Sequence, residues 1–200
     1  MKAVDPIRDK YLLQDIERYL RTKECKTTKQ EFKRDRNYLM FLFGIHEGRR
    51  ISDILKIRVG DIKTNRIELV EQKTGKSDTL YLHEKVIKEI NKYIKKYDLK
   101  KSDYLFPSQK KKNGIQKPLG RQGAYSFLKR DIQEYFGDKA GLIGTHTLRK
   151  TFGYMYYTKT GDVVMLQKLF NHSDPAITLE YIGITKDQKR SAIEDFDPFN

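Results

Sequence analysis

This 200-residue chain has a single cysteine, far fewer acidic than basic residues and no long apolar run. Cys25 is the only cysteine and stands among Lys, Glu and Thr, which excludes an intramolecular disulfide and a thiolate metal cluster. No stretch approaches the roughly 18 consecutive apolar residues of a spanning helix, and the N-terminus lacks the apolar core of a signal peptide. A soluble, cytoplasmic protein with no membrane partner is therefore expected. The shortage of acid is the most telling: 27 Asp and Glu against 41 Lys and Arg leave a formal charge of +14 and a pI near 9.6. Such a balance calls for an anionic partner, nucleic acid first, with a solvated Lys-rich surface as the plainer reading. At 38% hydrophobic and 12% aromatic residues, the chain can bury a core.

Apolar spacing divides the chain. Leu12, Leu13, Ile16 and Leu20 share one face of a short helix over Lys10 to Arg21, with Pro6 as a boundary. Thr28 to Glu31 fits a capping box, and Phe32, Leu39, Met40 and Phe43 continue at helical spacing until Gly44 and Gly48 break the helix. A further helix begins near Arg50-Ile51-Ser52-Asp53. Arg66 to Glu71 and Asp78 to His83 alternate as half-buried strands, which places Lys73 near the tip of a hairpin that turns at Thr74-Gly75-Lys76. Glu84 to Tyr97 is helical. Ser108 to Pro118, with Lys110, Lys111 and Lys112, is a basic loop or hairpin turn that either touches phosphates or is mobile surface. Arg121 to Phe136 is an amphipathic helix with Arg121, Lys129 and Arg130 on its polar face. Thr147 to Thr160 repeats Leu148, Phe152, Met155 and Tyr156 and stops at Gly161; Asp162 opens another helix with Val163, Leu166, Leu169 and Phe170 inside.

Chemistry gathers near the C-terminal end. His172, a turn at Asp174-Pro175, a short helix-forming run and Tyr181 hold an imidazole and a phenol at fixed separation. His146 and Arg149, three residues apart, can share one pocket at a helix N-terminus, a place that favours anions. Taken singly, each has a plainer reading: Arg49 and Arg50 as an exposed helix start, Lys73 as a solvated charge, His146 as a capping or core histidine, Asp53 as a helix N-terminal acid. His146 and His172 belong to no metal-ligand motif, so no metal is expected.

Together, Gly48-Arg49-Arg50-Ile51-Ser52-Asp53, Lys73-Thr74-Gly75-Lys76, His146-Thr147-Leu148-Arg149 and Leu169-Phe170-Asn171-His172-Ser173 through Thr178-Leu179-Glu180-Tyr181 resemble, in order, the catalytic domain of the tyrosine recombinases, the phage-integrase family. The resemblance spans about Thr28 to Lys186. It implies a mainly α, α+β fold, helical with a small antiparallel β-sheet, organised as an N-terminal helix or arm (1–27), the catalytic domain (28–186) and a C-terminal tail (187–200) that either docks on a neighbouring subunit through Phe196 and Phe199 or is a frayed acidic terminus. It implies that Arg50 and Arg149 clamp a scissile phosphate, that His146 and His172 hydrogen-bond it or shuttle protons, that Lys73 is general acid and Tyr181 nucleophile, and that Asp53 orients a cationic group behind them. Lys76, Lys110, Lys111, Lys112 and Arg121 are the expected DNA contacts. The implied activity is site-specific strand exchange on double-stranded DNA with no cofactor, by a homo-oligomer, tetrameric on DNA and aided by an accessory DNA-bending protein, in the nucleoid. A noncatalytic DNA-binding regulator and a topoisomerase-like relaxing enzyme are the alternatives. With 27 residues before the capped helix, half of the clamp usual in large integrases is missing, so a minimal recombinase that inverts short promoter segments, a fragment of a longer integrase and a protein relying on a partner are all compatible. Glu47 departs from the small residues usual before the first arginine and adds a charge near the pocket.

Overall fold

The computed structural model describes residues 4–70, 77–112 and 115–197. Helices dominate: α1 (Lys10–Thr22), α2 (Thr28–Glu47), α3 (Ile51–Ile54), α4 (Glu84–Lys96), α5 (Arg121–Phe127), α6 (Glu134–Phe136), α7 (Thr147–Thr160), α8 (Val163–Phe170), α9 (Pro175–Ile182) and α10 (Ile184–Glu194). Strands β1 (Ile62–Lys63), β2 (Arg66–Val70) and β3 (Ser77–Tyr81) form an antiparallel sheet in that order; β4 (Pro107–Lys112) and β5 (Ile115–Pro118) form a separate hairpin. The expected small antiparallel sheet is therefore present, with β1 as an additional edge. The basic Ser108–Pro118 stretch is a hairpin rather than a loop.

The central element is α2, whose residues 36–44 are all buried. An all-round buried helix suits its run Tyr38-Leu39-Met40-Phe41-Leu42-Phe43, which has no polar face in the middle. Its cap lies one residue earlier than the expected box: Thr27 accepts the Gln30 N–H at 3.2 Å, and the Gln30 side chain accepts the Lys26 N–H at 2.8 Å. Gly44 does not break α2. A Cβ there would stand 2.7 Å from Leu148 Cβ, so glycine is what lets α7 approach. The helix ends at Gly48, left-handed at φ 59°, where a glycine carries no Cβ penalty.

Residues 4–9 run beside α7, and Val4 lines the cavity next to Tyr181. Ile7 is buried and donates its N–H to Thr151 Oγ1 at 2.9 Å, and Arg8 Nε pairs with Asp187 of α10 at 2.9 Å. The long helix expected over Arg121–Phe136 is interrupted by a π-helical stretch, Leu128–Gln133, which leaves Asp131 buried and able to accept from Lys23, Asn37 and Arg130. Within α8, Leu166 and Phe170 are buried, whereas Leu169, expected inside, is exposed. On a helix of eight residues only one side faces α7 and α9, and Leu169 lies off it.

Replacing Gly44 by Ala should overpack the α2–α7 contact, and about 1–3 kcal/mol of lost stability, read as a lower midpoint in thermal or urea unfolding, is the expected outcome.

Candidate active site

Four segments converge at the two helix ends nearest α7. Arg50 is the N-cap residue of α3, immediately after the αL turn at Gly48, so the first-arginine segment starts where α2 stops. Arg149 lies in the first turn of α7 and is 2% exposed. Its Nη1 donates to the Gly48 carbonyl and its Nη2 to the Phe170 carbonyl, both at 2.8 Å, with the guanidinium carbon 4.1 Å above the Phe170 ring. A planar cation is thereby fixed before any ligand arrives.

The αL turn at Asn171, φ 51°, sends the chain from α8 to His172. His172 Nδ1 lies 3.0 Å from Thr178 Oγ1, and its backbone is tied to Gln167 through N–H and carbonyl. Asp174 then caps α9, accepting the Ala176 N–H, with Pro175 in the first turn. About two turns after that cap α9 presents Tyr181. Its ring meets Phe170, His172 and His146 edge-on, at centroid distances of 5.7, 5.3 and 6.3 Å.

The phenol oxygen sits 3.1 Å from His146 Nδ1 and accepts a hydrogen bond from Arg149. Burial pushes the Tyr181 pKa up, against the pull of Arg149 and Arg50. Burial pushes the His146 pKa down, and Arg149, Arg121, Lys150 and Arg50 add to that. Which of the two donates is set by the tautomer of His146. His146 is the N-cap of α7 but makes no side-chain capping bond there, so its ring is turned to the tyrosine instead.

Beside the phenol opens a cavity of about 810 Å³, lined by Arg121, Gln122, Tyr125, His146, Lys150 and Tyr181 among others. Arg121, expected at a DNA surface, thus faces the site itself. Lys150, which the motifs do not single out, has its ammonium 5.2 Å from the Tyr181 ring centroid. Its signal in the sequence was its place one turn after His146 on the same helix face. Asp53 is buried, and its carboxylate accepts from Ser52 Oγ at 3.4 Å. Lys73 and Lys76 lie outside the described residues. Lys110, Lys111 and Lys112 fall on β4. Among the described residues no three His, Cys, Asp or Glu gather as metal ligands, and no helix is long and apolar enough to cross a membrane.

The phage integrase family profile covers residues 14–188. The chain belongs to the phage integrase family. It is 40% identical over 197 residues to the probable integrase/recombinase YoeC of Bacillus subtilis, covering 98% of both chains, and 28% identical over 164 residues to the tyrosine recombinase XerC of Caldanaerobacter subterraneus, of which it spans 44%. Among solved structures it resembles the XerH site-specific recombinase in its post-cleavage complex with a palindromic difH substrate (TM-score 0.72, 18% identity, 98% of this chain and 54% of that one) and the catalytic domain of bacteriophage HP1 integrase (TM-score 0.57, 16% identity, 98% and 96%). The chain thus spans nearly all of one relative and about half of the longer recombinases, and the structural likenesses carry the fold.

Behind the first arginine, Glu47 is held in apolar surroundings that push its pKa up to about 7, with the His83 N–H and Arg49 opposing. Because the folded chain keeps this proton up to about pH 7 whereas an unfolded carboxyl releases it near 4.5, ionisation opposes folding as pH climbs across that window. Glu47→Gln should therefore gain stability relative to the parent at pH 8 compared with pH 5, by at most about 3 kcal/mol, as measured by thermal unfolding at the two pH values.

Proposed function

We infer that the chain is a tyrosine site-specific recombinase that cuts and rejoins double-stranded DNA through a 3′-phosphotyrosyl intermediate. The single observation that carries this is the Tyr181 phenol, 3.1 Å from the neutral His146 imidazole and hydrogen-bonded to the buried Arg149. A regulator that only bound DNA would need the basic surface, not a phenol set against a base inside a cationic cradle.

The chemistry follows from the groups. Arg50 and Arg149 hold the scissile phosphate and offset the charge that builds on its oxygens; preorganised donors of this kind are each worth about 10²-fold or more in rate. The Tyr181 oxygen attacks phosphorus as its proton passes to His146 Nδ1. His172, its ring set by Thr178, donates to a non-bridging oxygen. The bond from phosphorus to the deoxyribose 5′-oxygen breaks, and Lys73 supplies the proton that the departing alkoxide takes. The products are a 3′-phosphotyrosine and a free 5′-hydroxyl. Since the phosphoester linkage is conserved rather than hydrolysed, the reverse attack by another strand's 5′-hydroxyl releases Tyr181 and completes exchange.

Residues 28–186 serve as the catalytic unit, 1–27 as an arm and 187–200 as a tail that reaches a neighbouring subunit of a tetramer on DNA, with an accessory bending protein aiding assembly in the nucleoid. Supporting the tail reading, Ile193 and Phe196 are 77% and 69% exposed at the end of α10; Phe199 lies outside the described residues. Lys76, Lys110, Lys111, Lys112 and Arg121 are assigned to DNA phosphates, and Asp53 to orienting a cation of the site. The likeness to DNA-bound recombinases such as XerH on difH supports the duplex as substrate.

Incubated in EDTA with a nicked suicide duplex carrying candidate sites, the parent protein should form an SDS-resistant DNA adduct and Tyr181→Phe none; binding by both without any adduct would contradict the enzymatic reading. Binding itself should weaken steeply with salt. Ile193→Ser with Phe196→Ser should shrink the complex on DNA in light scattering and leave monomer unfolding unchanged.

A further inference from the structure

The connection from α1 to α2 borders a cavity of about 310 Å³, at the opposite end of α2 from the Tyr181 site. From Gln30, in the cavity wall, to Gly48 the helix rises about 27 Å at about 1.5 Å per residue. Lys23, Lys26, Lys33 and Arg130 face this cavity against two carboxylates, Glu24 and Asp131; Arg34, also in the wall, has Asp35 and Glu31 to offset it. Asp131 is buried and already accepts from Lys23 Nζ at 3.0 Å, Arg130 Nε at 3.2 Å and Asn37 Nδ2 at 3.3 Å. Lys33 is half-buried, and among the described residues no carboxylate pairs with it. Burial pushes its pKa down, and Arg130, Arg36 and Lys23 add to that, with Asp131 opposing. Behind the wall, Arg36 is buried and gives its guanidinium to the Pro107 carbonyl and Asn37 Oδ1. The cations thus gather more closely than the acids beside them can offset.

We propose that this cavity binds a small phosphorylated ligand, at a site separate from the Tyr181 cradle. Four cations less two carboxylates leave an excess of two positive charges in the wall. That excess matches a phosphate monoester, at about −1.5 to −2, better than a singly charged carboxylate. The Arg130 guanidinium offers a fork of donors and the ammoniums offer point charges, the two ways in which proteins hold phosphate. The wall is set before a ligand arrives: Arg34 Nη1 donates to the Lys23 carbonyl at 3.2 Å, and the Gln30 side chain accepts the Lys26 N–H at 2.8 Å, so the connection is pinned to α2 at both ends. From the facing side the π-helical stretch Leu128–Gln133 brings Arg130 and Asp131 to the wall, and such stretches are frequent at functional sites. Duplex DNA fits here poorly, because each strand spreads single charges about 3.4 Å apart along the axis. A volume near the lower end of small-ligand pockets, about 300 Å³, suits one terminal phosphate or a pyrophosphate. The proposal does not depend on the recombinase reading.

The chain carries its own reporter. Cys25 lines the same cavity and is the only cysteine, so its rate of alkylation by uncharged N-ethylmaleimide reads whether the cavity is filled. With the full chain and inorganic pyrophosphate as the probe, alkylation should slow by about threefold or more, because access to the thiol is lost. The slowing should saturate with a midpoint at about 1 mM or below, and sodium chloride of equal ionic strength should leave the rate unchanged. Lys33→Gln and Arg130→Gln should each raise that midpoint about tenfold by removing a charged donor, so the result does not hang on one variant's folding. A short duplex should leave the rate unchanged. No slowing by pyrophosphate, equal slowing by the salt, or a midpoint that neither variant moves overturns the proposal. Protection by the duplex assigns the wall to the DNA backbone and overturns it equally.

Discussion

One guanidinium holds the site together. Arg149 is buried between two helix C-termini: Gly48, the C-cap of α2, and Phe170, the last residue of α8, each turn a carbonyl to it at 2.8 Å. A buried cation is costly unless it is hydrogen-bonded, and helix C-termini are where unpaired carbonyls and negative dipole ends are found. The charge is thus made tolerable by the ends of α2 and α8, and in return it draws those ends to α7. That places Arg50, two residues past Gly48, and His172, two residues past Phe170, around one point. Tyr181 enters the same arrangement through the Phe170 ring and the Arg149 hydrogen bond.

The electrostatics of that point are lopsided, and the lopsidedness serves the chemistry. Arg50, Arg121, Arg149 and Lys150 act on His146 together and, with burial, hold it neutral, which keeps an imidazole available to accept a proton. Burial holds the proton on Tyr181 while the arginines pull the other way. A phosphodiester entering the cradle would bring the negative charge that the cations lack, and attack would spread further charge onto oxygens facing Arg50 and Arg149. The Tyr181 phenol thus rests beside the His146 imidazole, in a cradle whose cations an anion would offset.

Much of this was legible in the residues. Order and spacing of the arginine, lysine, histidine and tyrosine motifs pointed to the phage integrase family, and the helices α4 and α7 lie where their apolar periods place them. What spacing could not convey is tertiary. Gly44 reads as a breaker in isolation, yet α7 needs the missing Cβ; the propensity cost is offset by a close approach visible only with Leu148 in place. Thr27 and Thr28 are chemically equivalent caps, and geometry chooses the first. Leu169 has the right residue type but the wrong side of a short helix. For the basic Ser108–Pro118 stretch the sequence left loop and hairpin turn open, and the β4–β5 pairing decides for the hairpin. Lys150 stands among many lysines, and only the position of α9 gives it a tyrosine to face.

The central claim is that Tyr181, and no other of the 13 tyrosines, is delivered by its own chain's histidine and arginines onto a phosphate. The most direct measurement is to digest a trapped protein–DNA adduct with protease and nuclease and to locate the linkage by mass spectrometry. The account predicts a nucleotide joined through its 3′-phosphate to the peptide that contains Tyr181, with a 5′-hydroxyl on the released strand. A linkage at another residue, or through a 5′-phosphate, would contradict it.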